Sequence, residues 1–126
     1  MKRLSDDQLR SYRSRGHLTV ENVFGADDMA AAVDDAEAWA VDEIGKLNPA
    51  ERAWYLEGAI EDRAVLRKLD NPIYLRPVFR SLAANNDLLA MVEQLIGPGP
   101  RVFFSQIFFK APGGGGPKPM HQDNFY

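Results

Sequence analysis

His121-Gln122-Asp123 sets one residue between an imidazole and a carboxylate. On a strand, side chains at i and i+2 project from the same face, so His121 and Asp123 would stand side by side with Gln122 turned away. A neutral ring nitrogen and an ionised carboxylate are two of the three groups of the two-histidine, one-carboxylate facial triad. That triad holds Fe(II) from one side and leaves positions open for substrate and dioxygen. The third ligand is absent from the sequence. The other histidine, His17, lies near the opposite end, where a surface or packing role is expected. The same two groups can also form an ordinary hydrogen-bonded pair on a strand, with no metal involved.

Composition narrows the chemistry further. With no cysteine among 126 residues, disulfides, zinc-thiolate sites and iron-sulfur clusters are excluded, and any metal must be held by nitrogen and oxygen. The 18 acidic and 15 basic residues are mixed along the chain, for a net charge of −3. No basic patch large enough to grip nucleic acid or anionic lipid stands out, which leaves a small molecule as the expected ligand. No run approaches the roughly 20 apolar residues that span a bilayer. The two basic residues at the start are followed by acids and not by an apolar run, so a cytoplasmic protein is expected. The chain stops at Phe125-Tyr126 inside what reads as a strand, and truncation is expected there.

The elements that must position the pair can be read from caps and periodicity. Ser5 with Gln8 forms a capping box, so a helix is expected from Asp6 to just before Gly16. His17 to Glu21 alternates polar and apolar residues and reads as a short strand. Asp27 is expected to cap a long helix in which Met29, Val33, Ala36, Ala40 and Ile44 share a face, with Trp39 flanking it as a core residue. Asn48-Pro49 ends that helix, and the stretch from Arg52 to Glu61 shows no clean period. Ala64 to Leu69 reads as a strand stopped by Asp70-Asn71-Pro72, and Pro77 opens a short helix through Ala83. Asn86 is expected to cap a helix with Leu88, Leu89, Val92, Leu95 and Ile96 in one stripe, halted by Gly97-Pro98.

Arg101 to Lys110 is dense in β-branched and aromatic residues, which predicts a strand covered on both faces. Within it Gln106 shares a face with Phe104, Phe108 and Lys110. The glycine run after Pro112 is no phosphate loop, because Pro117 and a second strand starting near Met120 follow it, not a helix N-terminus. The expected class is α+β, one unit over 1–126 whose first hundred residues are mostly helical and whose remainder holds the first core strands.

The stretch Val102-Phe-Phe-Ser-Gln-Ile-Phe-Phe-Lys-Ala-Pro-Gly, then Lys-Pro-Met-His-Gln-Asp-Asn-Phe-Tyr, resembles the phytanoyl-CoA dioxygenase family of Fe(II)- and 2-oxoglutarate-dependent oxygenases. Leu4-Ser5, Tyr12, Arg15-Gly16-His17-Leu18-Thr19-Val20 with Val23-Phe24, and Leu89 to Gly97, extend the resemblance backwards, while 49–58 match poorly. The resemblance implies a double-stranded β-helix core of jelly-roll type, truncated here, and hydroxylation of a small organic substrate with dioxygen. It implies His121 and Asp123 as iron ligands and catalytic residues. It also places Lys68 and Gln106 where the family contacts 2-oxoglutarate. The distal histidine and the arginine that hold iron and cosubstrate in the family lie outside this sequence, so the chain alone is not expected to turn over. Two other classes fit the residues: a helical interaction module with a β-extension, and a jelly-roll binding domain without redox chemistry. Oligomeric state and substrate identity are not legible.

Overall fold

The computed structural model describes residues 1–60, 63–110, 117 and 119–123, with the backbone alone at 58–60 and 63. Helices and two small antiparallel sheets alternate along it, an architecture compatible with the α+β class. None of the described helices is long and apolar enough to cross a membrane.

Helix α1 (Asp6–Arg15) starts at the Ser5 capping box and ends at Gly16, whose φ of 78° is left-handed and suits a residue without a Cβ. The expected strand at His17 to Glu21 does not form. Among the described residues no strand lies beside it, and Leu18 and Val20 instead line an apolar cleft with Leu88, Met91 and Val92. Helix α2 (Ala26–Lys46) is capped by Gly25, so Asp27 sits inside the first turn. There its charge still favours the positive end of the helix dipole.

Asn48 both ends α2 and caps the next helix, α3 (Pro49–Tyr55). Its side chain accepts from the Ala50 and Glu51 amides, and Glu51 reaches back to the Asn48 amide. Strands β1 (Leu56–Ile60) and β2 (Arg63–Leu66) pair antiparallel, with Leu56 opposite Leu66 and an irregularity before Ala59. Arg67 then interrupts the strand expected over Ala64 to Leu69. Its amide bonds the Tyr55 carbonyl and its carbonyl accepts from Phe109, which passes the chain from one sheet to the other.

Strand β3 (Lys68–Asp70) pairs antiparallel with β4 (Gln106–Phe108): Lys68 opposite Phe108, Leu69 opposite Ile107, Asp70 opposite Gln106. Between them lie α4 (Pro72–Leu75), α5 (Pro77–Ala83) and α6 (Asn86–Ile96). The cap of α6 is Asn85, one residue before the expected Asn86, and its side chain accepts from the Asp87 and Leu88 amides. The leucine stripe of α6 faces inward except at its end, where Ile96 is exposed.

The core forms where α2 meets the sheets. Trp39 and Ala40 pack on Leu66 and Leu69, with Ile44, Tyr55, Ile107 and Phe109 around them. Leu69 and Ile107 are cross-strand partners, so one face of β3 and β4 rests on α2. Alternation leaves Lys68, Asp70, Gln106 and Phe108 on the other face. Arg76 closes the edge: it forms a two-pronged ion pair with Asp35, its Nε 2.9 Å from Oδ2, and its guanidinium lies 5.6 Å from the Trp39 ring centroid.

The strand expected over Arg101 to Lys110 is therefore only three residues long, and it is covered on one face. A ladder extends only as far as its partner, and β3 offers three residues. Phe103 is 88% exposed, and Phe104 and Phe108 are about half exposed. No strand forms near Met120 among the described residues, and Ala111 to Gly116 of the glycine loop lie outside them.

Candidate functional site

The open face of β3 and β4 forms one wall of a cavity of about 920 Å³. Lys68, Gln106, His121 and Asp123 all line it, so the four residues singled out in the sequence meet at one place. Aromatic side chains, Trp54, Phe103, Phe104 and Phe108, supply much of the remaining wall.

His121 and Asp123 do not lie on a strand. They are brought together by a local bend, with His121 Nε2 3.2 Å from Asp123 Oδ1. Both are well exposed, at 62% and 94% of their side-chain surface. The His121 Nδ1 is 2.9 Å from the Pro119 carbonyl, which can only accept, so in the neutral ring the proton sits on Nδ1. That leaves the lone pair of Nε2 directed at a carboxylate oxygen. Two electron-rich atoms in that relation repel unless a proton or a cation lies between them.

A cation suits the spacing. Two ligands at right angles on one ion, with bonds of about 2.1–2.2 Å, stand about 3.0–3.1 Å apart. The backbone bond to Nδ1 is also the contact that orients metal-bound histidines and fixes their tautomer. Donor type and spacing thus fit a divalent metal of the Fe(II) kind. Among the described residues no third histidine, cysteine or carboxylate joins the pair. His17 is exposed, with its ring against the Arg15 carbonyl.

Lys68 and Gln106 are tied to each other through Asp70. The Lys68 Nζ lies 3.2 Å from Asp70 Oδ1, and the Gln106 amide donates to the same oxygen. Gln106 is half-buried, and its amide is bonded by the Asp70 side chain. A solvent-reached ion pair of the Lys68–Asp70 kind stabilises a fold by on the order of 0–1 kcal/mol, so its main effect is on where the groups point.

The sequence reading missed Asp70, which served there only as a strand stop. The signal was present: Lys68 and Asp70 are two apart, and strand alternation puts them on one face. Trp54 and Arg67 also line the cavity. Arg67 Nε is 3.1 Å from Glu57 Oε1, so its charge is matched before any ligand arrives.

No protein-family profile matches the chain, and no solved structure matches it. It is similar to a probable alpha-ketoglutarate-dependent hypophosphite dioxygenase from Stutzerimonas stutzeri, with 26% identity over 117 residues. Those residues are 93% of this chain and 41% of the relative, so the chain spans well under half the length of the protein it matches. The likeness points at low identity to the superfamily of 2-oxoglutarate-dependent oxygenases.

Proposed function

We propose that the chain is part of an Fe(II)- and 2-oxoglutarate-dependent dioxygenase of the phytanoyl-CoA dioxygenase kind, hydroxylating a small organic substrate. The β3–β4 pair is then the beginning of its jelly-roll core. The observation that carries this reading is the convergence of His121, Asp123, Lys68 and Gln106 on one cavity.

In this reading His121 Nε2 and an Asp123 oxygen would hold the metal. The Pro119 carbonyl holds the His121 Nδ1 hydrogen, which would leave the Nε2 lone pair available to it. Lys68 pairs with a carboxylate of 2-oxoglutarate, and Gln106 supplies an amide beside it. Fe(II) with 2-oxoglutarate and dioxygen would supply the oxidising power for hydroxylation. The aromatic side chains of Trp54, Phe103, Phe104 and Phe108 offer an organic substrate an apolar surface.

Hypophosphite is the substrate in the relative's name. So small an anion has no use for four aromatic side chains, which favours an organic substrate here. Succinate formation from 2-oxoglutarate by the full-length protein, measured with and without hypophosphite, separates the two. In that protein Asp123→Ala is expected to abolish 2-oxoglutarate-dependent hydroxylation. Turnover of that variant at the unmutated rate would remove the carboxylate from the site.

A further inference from the structure

On the oxygenase reading above, we propose that Asp70 is a positioning residue: it fixes the direction of the Gln106 amide and the Lys68 ammonium so that both present the right atoms to an anionic ligand in the cavity. Asp70 lies directly across the ladder from Gln106, and Lys68 precedes it by two on the same face. One carboxylate therefore reaches both groups without any loop having to order.

The chemistry of the contacts gives the direction. An ionised carboxylate only accepts, so Gln106 must turn its Nε2 toward Asp70 Oδ1. Its carbonyl oxygen is thereby held away from Asp70, and one amide hydrogen remains to be donated elsewhere. Removal of Asp70 would leave two amide orientations of nearly equal energy, differing by a half-turn. The Lys68 ammonium lies 3.2 Å from each Asp70 oxygen. With three donors it can keep Asp70 and still offer hydrogens to a carboxylate.

Asp70 is free for this task because the neighbouring cation is occupied. Arg76 lines the adjoining cavity together with Asp70 and Lys68, yet its guanidinium is bound to Asp35. Lys68 lines both cavities, so a swing of its side chain would move the charge out of the site. Asp70 is the group on the strand placed to prevent that swing.

The test compares Asp70→Ala and Asp70→Asn with the unmutated full-length protein. Asp70→Ala is expected to raise the KM for 2-oxoglutarate on the order of tenfold with kcat changed by less than about twofold, since a lost charge-assisted bond acts on binding. Asp70→Asn keeps an acceptor for Gln106 and is expected to recover part of the loss. In a Lys68→Met, Gln106→Leu background Asp70→Ala is expected to add less than about twofold, because its effect passes through those two residues. An unchanged KM in Asp70→Ala, or an equal loss in both backgrounds, overturns the proposal. If the unmutated protein neither binds nor consumes 2-oxoglutarate, the oxygenase reading fails by itself. The side-chain amide resonances of Gln106 then still read the contact: they are expected to shift in Asp70→Asn, and resonances unmoved by that change overturn the positioning role.

Discussion

The two faces of the β3–β4 pair are three residues deep and share one backbone, yet they differ completely in company. Leu69 and Ile107 rest on Trp39 and Ala40 of α2, and Leu69 is 4% exposed. A strand spacing away, Phe108 and the neighbouring Phe103 and Phe104 stand largely in the open around Lys68 and Gln106. Apolar content is high on both sides. What separates them is whether a helix is delivered opposite, and α2 brings Trp39 and Ala40 to the closed side. The closed face carries stability, and the open face lines a cavity.

That contrast can be broken most forcefully at Trp39, which is 8% exposed and bonds Glu43 Oε1 through its ring nitrogen at 3.1 Å. Trp39→Ala is expected to destabilise the fold by about 3–5 kcal/mol, read as a lower midpoint in urea at unchanged slope, because the helix cannot collapse into so large a void. A loss below about 1 kcal/mol would mean that α2 is not what closes this face.

A smaller effect is expected at Asp35. Its hydrogen bonds with Arg76, followed by the charge on that guanidinium, hold its carboxyl below the ordinary carboxylate value, while burial opposes them. The folded form thus binds this proton more weakly than the unfolded form. Its stabilisation is complete above the unfolded carboxylate value and is lost as pH falls through the lower, native one. Asp35→Asn should therefore melt below the unmutated protein at neutral pH, and the two curves should converge in acid. A gap that stays constant down to strongly acid pH would deny the pair its role at the edge of the core.

The smallest change in stability is expected on the open face. Phe103→Ser removes a ring that is 88% exposed and should leave the folding free energy within about 0.5 kcal/mol. It should nonetheless lower self-association, since Phe103 and Phe104 lie with ring centroids 6.3 Å apart in an exposed apolar patch. Sedimentation of the two proteins at equal concentration reads the difference. Identical association would show that the patch does not drive contact between copies.

Some features were legible because their causes are local. Ser5 and Gln8 specify the start of α1 within four residues, Pro77 opens α5, and Gly97 with φ of 100° ends α6. The errors follow a pattern. Gly25 and Asn85 cap where Asp27 and Asn86 were expected, because several residue types compete within one turn and only the backbone path chooses among them. The strand expected at His17, and the described part of the one expected near Met120, are missing for a different reason. A strand needs a partner, and alternation in the sequence says nothing about whether one is near.

The sequence by itself determined the start of α1 at its Ser5 box, the opening of α5 at Pro77, the exclusion of thiolate chemistry and the residue types that could hold a metal, since each depends on side chains within a turn or on composition. Only the tertiary structure decided that Lys68 and Gln106, 38 positions apart in number, join through Asp70 and share a cavity with His121 and Asp123. Those contacts close long stretches of chain. Their cost in conformational entropy is met by the burial of Leu69 and Ile107 on α2, which no local pattern can foretell.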